Sequence, residues 1–157
     1  MTDYVAAISK VEDRLAEILR AAPELLDQTI LTSEESRPDE AVEPNTINIF
    51  TAAYQVDQSE EQGQTRHRAT IEFERIGSLE LVGTIGRENQ RYMALIVRAL
   101  AADRTAGGMI EDIQEVDVAP VAQNARDHGS VSLQCNVTFY TPRDDWFTIV
   151  GIGGETF

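Results

Sequence analysis

The chain holds one cysteine in 157 residues, so no internal disulfide can staple it. It holds two histidines, His67 and His128, and these with Cys135 lack any metal-ligand spacing such as Cys-x-x-Cys or His-x-x-x-His. A catalytic thiol at Cys135 would need one of those two histidines beside it, and packing is the natural reading of an apolar-face cysteine. No apolar run reaches the about 18 residues that a transmembrane helix needs. The first residues carry no apolar run behind basic ones, so no signal peptide is expected. Gly83 and Gly86 fall short of a dinucleotide loop, which needs three glycines between strand and helix. The GIGG run near the end has no helix after it to hold an anion. Asn136-Val137-Thr138 matches a glycosylation acceptor only by chance, inside a strand pattern. No cofactor and no metal are expected.

Basic residues are scarce: 13 Lys+Arg stand against 27 Asp+Glu, for a formal charge of -14. Such a surface repels phosphates and anionic membranes and keeps the chain soluble. The length fits one domain with a core of its own, and 42% hydrophobic residues is ordinary for a globular fold.

What is present is periodicity. Residues 1–22 read as an amphipathic helix with Ile8, Val11, Leu15 and Ile18 in line, Thr2 or Asp3 available as a cap, and Pro23 at the end. Residues 25–31 read as a short turn or strand. The TSEESRPDEAVEP stretch, residues 32–44, has five acids and two prolines and reads as a loop. Asn45–Val56 reads as a strand, with Ile47, Ile49, Thr51 and Ala53 on one face and Phe50, Tyr54 and Val56 on the other. Thr65–Arg75 is the returning strand, with His67, Ala69, Ile71 and Phe73 on one face. Arg66, Arg68 and Arg75 are read with the acids on its opposite face, as cross-strand pairs or as a subunit interface. Between these strands DQSEEQGQ forms an acidic hairpin loop, in which Asp57, Glu60 and Glu61 are candidates to face a channel or ring.

The Leu79–Asp103 stretch holds the most apolar helical stripe, Met93, Ile96 and Leu100. Ser78 is a candidate cap, but Gly83 and Gly86 move the firm start to near Arg87. Gly107-Gly108 stops it. Glu111–Val121 is a less regular strand that Pro120 places at an edge or an end. A polar turn follows, and then Ser130–Tyr140, where Val131, Leu133, Cys135, Val137 and Phe139 alternate strictly with polar residues. The expected fold is α+β: a mostly antiparallel four-stranded sheet with two packed helices, order α-β-β-α-β-β, over residues 1–141. Residues 142–157 follow as a C-terminal arm. Trp146, Phe147, Ile149 and Val150 in that arm either fold back on the domain or anchor a partner.

This order of elements resembles the tail terminator, or tail completion, proteins of long-tailed bacteriophages, the lambda-type minor tail family. The resemblance covers about residues 3–141 and lies in the N-terminal helix, the PNTINIFTAAY and TRHRATIEFERIG strands, the central helix and the SVSLQCNVTFYTP strand. The arm after Arg143 has no counterpart in it. The resemblance implies a non-enzymatic virion protein made in the host cytoplasm. It implies a homo-oligomer, a hexameric ring at the head-proximal end of the tail tube. That ring stops tube polymerisation and joins the tail to the head–tail connector and neck proteins, while genomic DNA passes through it without specific binding. The alternatives are another neck or tail ring protein, such as a head–tail joining protein or tube subunit, and a small α+β ligand-binding domain or enzyme. The last would require a concave site with convergent polar groups.

Overall fold

The computed structural model describes residues 4–35, 43–58, 63–78, 84–121 and 128–157. The elements run in the order α1 (Ala7–Ala21), a 3-10 turn (Pro23–Leu25), β1 (Thr29–Thr32), β2 (Thr46–Gln58), β3 (Gln64–Ser78), α2 (Arg87–Ala101), β4 (Asp112–Pro120) and β5 (His128–Pro142). They form one sheet in the order β1-β2-β3-β5-β4. β2, β3, β5 and β4 are antiparallel to their neighbours, and β1 lies parallel to β2. The α+β class and the two packed helices are as expected, but the mostly antiparallel sheet of four strands is instead a mixed sheet of five, because β1 adds a parallel strand at its edge. The extra strand is Thr-Ile-Leu-Thr, four residues long, in which only Ile30 and Thr32 are buried. So short a run carries too few alternations to stand out from a turn.

Both helices lie on one face of the sheet. Val11, Leu15 and Leu19 of α1 and Met93, Ile96 and Leu100 of α2 join Ile47, Ile49, Ile71, Phe73, Leu133, Cys135, Val137 and Phe139 in a single buried cluster. Each such side chain taken from water contributes about 1.5–3 kcal/mol. The α1 stripe is rotated from the expected line: Ala7, Val11, Leu15 and Leu19 are buried, while Ile8 and Ile18 flank them half-buried. Neither helix has a side-chain cap. The α1 N-cap is Ala6, and the Ala7 N–H donates instead to the Trp146 carbonyl at 2.8 Å. Gly86, not Ser78, precedes α2, which starts at Arg87 as the glycines suggested. Thr2 and Asp3 lie outside the described residues.

Two bulges re-aim side chains. Thr51 pairs with Ile71 but Ala53 pairs with Thr70, so Ala52 is an extra residue in β2. Past it Tyr54 and Val56 stand opposite Ala69 and His67, on the helix-side face and not the far face that simple alternation assigned them. A second irregularity lies between Glu115 and Asp117 in β4. The far face of the sheet carries Thr70 hydrogen-bonded to Asn136 at 3.1 Å, and Glu72 accepting from Ser132 Oγ and Gln134.

Arg75 also lies on the opposite face from the one expected. It keeps step with His67, Ala69, Ile71 and Phe73, and it is fully buried. Its guanidinium donates to Asn89 Oδ1 at 2.7 Å, Asn45 Oδ1 at 3.0 Å and Gln28 Oε1 at 3.3 Å, with Glu88 at 3.5 Å. It stacks 4.0 Å from the Tyr92 ring centroid, while Arg91 covers that ring from 4.8 Å. The Tyr92 hydroxyl in turn donates to Asp27 at 2.8 Å, which lowers that carboxyl below its ordinary range. A charge so deep is tolerated because three amide oxygens accept its hydrogen bonds and the Glu88 carboxylate pairs with it.

Candidate functional site

The strand register gathers Asp57, Arg66 and Arg68 at one end of the sheet. Asp57 stands opposite Arg66, and Arg68 is the next outward residue along β3. Asp57 Oδ2 accepts from Arg66 at 3.2 Å and from Arg68 Nε at 3.0 Å, with Arg68 Nη2 also in contact. These bonds, Arg68 first, hold the Asp57 carboxyl below its ordinary range. Asp57 therefore ends a strand, paired with two bases, and is not part of an acidic loop as the sequence suggested. Glu60 and Glu61 lie outside the described residues.

The arm folds back on the domain at several points. Arg143 N–H donates to the Gly63 carbonyl, Val150 N–H to Tyr140, and Ile152 N–H to Gly108. Ile149 and Phe157 exchange both backbone hydrogen bonds, at 3.1 and 3.0 Å. Ile149 is fully buried in the main core, so it is used within its own chain, and Val150 is half-buried. Trp146 and Phe147 remain 45% and 42% exposed. Phe147 meets Tyr4 edge-on at 5.7 Å, and Tyr4 is itself 73% exposed. The turn that carries these aromatics is fixed by Asp145, which accepts from Thr148 Oγ1 at 2.7 Å and from the Phe147 N–H at 3.0 Å.

Trp146 is positioned by His67, which sequence reasoning weighed as a thiol partner or metal ligand and set on the apolar face of its strand. The buried His67 ring meets Trp146 edge-on at 4.9 Å and stacks on Phe139 at 4.7 Å. Its Nδ1 shares a hydrogen bond of 2.5 Å with the Tyr54 hydroxyl, and its Nε2 one of 2.8 Å with Thr141 Oγ1. Burial pushes the His67 pKa down from its ordinary value and the Tyr54 phenol up to about 12. The His67 signal in the sequence was its place in the alternating face; nothing local announced Trp146 as its partner. Cys135 is fully buried, and burial pushes its thiol up to about 12.

Chemically this arrangement binds an arm to a sheet and presents flat aromatic surface outward. His67 and Thr141 are both closed to solvent. Among the described residues no group of three or more His, Cys, Asp or Glu is placed to hold a metal. No helix among them is long and apolar enough to cross a membrane. A groove of about 600 Å³ is lined by α1, the residues on either side of Gly107 and the chain end, with Val5, Ala106, Met109 and Phe157 as its apolar part. Lys10, Arg14 and Glu17 rim it. No family model matches the chain, and no curated protein matches it either.

Proposed function

We propose that this chain is a tail terminator of a long-tailed bacteriophage, a structural virion protein that forms a homohexameric ring on the head-proximal end of the tail tube. The observation that carries the assembly part of this reading is the arm, which lies outside the family resemblance. It is tied to the domain by hydrogen bonds at both ends, yet Trp146, Phe147 and the adjoining Tyr4 stay outward. Rigid aromatics held open on a folded surface are the residues that dominate protein interfaces. The order of helices and hairpins supports the reading through the family resemblance. In this role the ring stops tube growth, offers its other face to the neck, and lets DNA pass. A net charge of -14 keeps the DNA from sticking to a subunit.

The test is the mass of the purified protein alone and mixed with unfinished tail tubes. A terminator forms single closed rings and sits at one end of each tube. Filaments formed by the protein alone would identify a tube subunit instead. A monomer that ignores tubes at every concentration would end the ring reading.

A further inference from the structure

The sheet has two outer edges on opposite sides, and they differ in charge. On one side β1 covers only Thr46–Ile49, and among the described residues no strand lies beyond the rest of β2. Five consecutive residues there, 52–56, are exposed, including Tyr54 at 37% and Val56 at 44%. No charged side chain occurs from Thr46 to Val56. Past the Ala52 bulge, Ala53–Gln58 pairs with β3 in unbroken register, so its open side is regular as well. Just behind that edge Arg66 and Arg68 share the single carboxylate of Asp57, which leaves one positive charge in excess.

On the other side β4 is the edge. Its first half is closed by Arg104, which donates to the Ile113 carbonyl at 2.8 Å and pairs with Glu115 at 3.2 Å. Past Glu115 the strand exposes Val116 at 52% and Val118 at 43%. Asp112, Glu115 and Asp117 against Arg104 leave this edge with two negative charges in excess. An open strand edge is a template for another strand, and natural sheets shield it unless it has a partner. β4 carries acids that repel its own like, and the β2 edge, with Arg66 and Arg68 of β3 behind it against the one carboxylate of Asp57, offers a positive excess that suits them.

We propose that the outer edge of β2, Ala53–Gln58, takes the outer edge of β4, Val116–Pro120, from a second copy of this chain. This rests on the ring reading above and states how the ring closes. β4 runs antiparallel to β2 within one copy, because three antiparallel pairings separate them. Copies that share one strand direction therefore meet β2 to β4 as an antiparallel pair. The two edges belong to different strands on opposite sides of the sheet, so the contact is head-to-tail and repeats until the rotation closes. The sheet then continues from copy to copy.

Two single substitutions test it. Val56→Asp puts an acid opposite the acidic β4 edge, and Val118→Lys puts a base opposite the positive β2 edge. Both sites are exposed, so the fold should survive, and circular dichroism with thermal melting checks that it does. Val56→Thr and Val118→Thr keep the strand shape without charge and should assemble like the parent chain. Sedimentation of each charged variant alone should show self-association weakened at least about tenfold. Mixed one to one they should associate again, because each supplies the edge the other lacks. The proposal is overturned if either charged variant assembles like the parent, or if the mixture stays dissociated. An isologous β2–β2 contact would show itself by leaving Val118→Lys unaffected. Rings that persist in both variants would overturn this edge pairing and leave the ring reading standing. Rings that depend on both edges but fail to cap tails would support it and remove the terminator reading.

Discussion

Arg75 occupies the space where a side chain at Gly77 would stand. A Cβ built at Gly77 runs into the Arg75 guanidinium and comes within 3.0 Å of Asn89 Oδ1. The two residues are on the same face of β3, one pleat apart, and the smaller makes room for the larger. Gly77→Ala should therefore destabilise by roughly 1–3 kcal/mol, the usual cost of overpacking a filled core. Arg75→Ala should cost more, roughly 3–5 kcal/mol, because Asn45, Asn89 and Gln28 lose a buried donor together. Urea denaturation of both variants checks this. A loss at Gly77→Ala no larger than at an exposed strand site would mean that the guanidinium yields freely.

The second prediction concerns acid. His67 has a folded pKa below the ordinary 6.5 because it is buried. The unfolded chain then takes up that proton first, so the contribution of His67 is fully present above 6.5 and is lost as the pH falls through the folded value. Carboxylates also titrate in acid, so the useful quantity is the difference between the parent chain and His67→Gln. That difference in stability should shrink as the pH falls below 6.5. The single tryptophan gives a second readout, since a protonated imidazole edge-on at 4.9 Å quenches an indole. A Trp146 emission that follows the same pH course in His67→Gln would show that His67 is not the titrating group.

Cys135 gives a third. Its side chain is fully closed to solvent and burial pushes its thiol up to about 12, so almost no thiolate exists at neutral pH. Cys135→Ala should cost on the order of 1 kcal/mol and nothing else. Thiol reagents should react with the folded chain only as fast as it opens. Rapid labelling of the native protein with loss of assembly would contradict this.

Much of this architecture is readable from pattern because the pattern is local. Ser130–Tyr140 alternates without a break, and every odd residue from Val131 to Phe139 is buried as that requires. α2 starts at Arg87, directly after Gly86, where the cost of glycine inside a helix places its firm start. The pattern failed where a single residue breaks it or where a contact is distant. The bulge at Ala52 moves Tyr54 and Val56 to the other face, and apolar residues on both faces of β2 gave no sign of the slip. Arg75 follows the period of Phe73, but its charge argued for the solvent side, and its oxygen partners are distant in sequence: Gln28 just before β1, Asn45 just before β2 and Asn89 in α2. The arm was separable in the sequence, yet nothing near Trp146 names His67 or Ala7 as its neighbours.

The last prediction is about that arm. Cutting the chain after Tyr140 would remove Ile149 from the core and Thr141 from His67, so loss of function in that fragment would follow from damage to the fold. The exposed aromatics separate the two effects. Phe147 touches Tyr4 at the surface, and Phe147→Ala should leave stability within about 1 kcal/mol of the parent. Trp146 leans on His67 with one edge, so Trp146→Ala should lose somewhat more, of the order of an aromatic pair, about 0.5–1.5 kcal/mol beyond the area it uncovers. The double variant should still fold and keep the backbone bond from Ala7 to residue 146, which needs no side chain. If these rings are anchors, burying each at a partner contributes about 1.5–3 kcal/mol per contact, and the double variant should bind tail tubes at least tenfold more weakly, about 1.4 kcal/mol or more. Binding would be measured by co-sedimentation with tubes, and ring formation by the protein alone in the same preparation. Weaker tube binding with intact rings places the aromatics on the tube or neck face. Lost rings place them between subunits. Unchanged behaviour in both assays would leave Trp146 and Phe147 as surface side chains with no partner, and the reading of the arm as an anchor would be withdrawn.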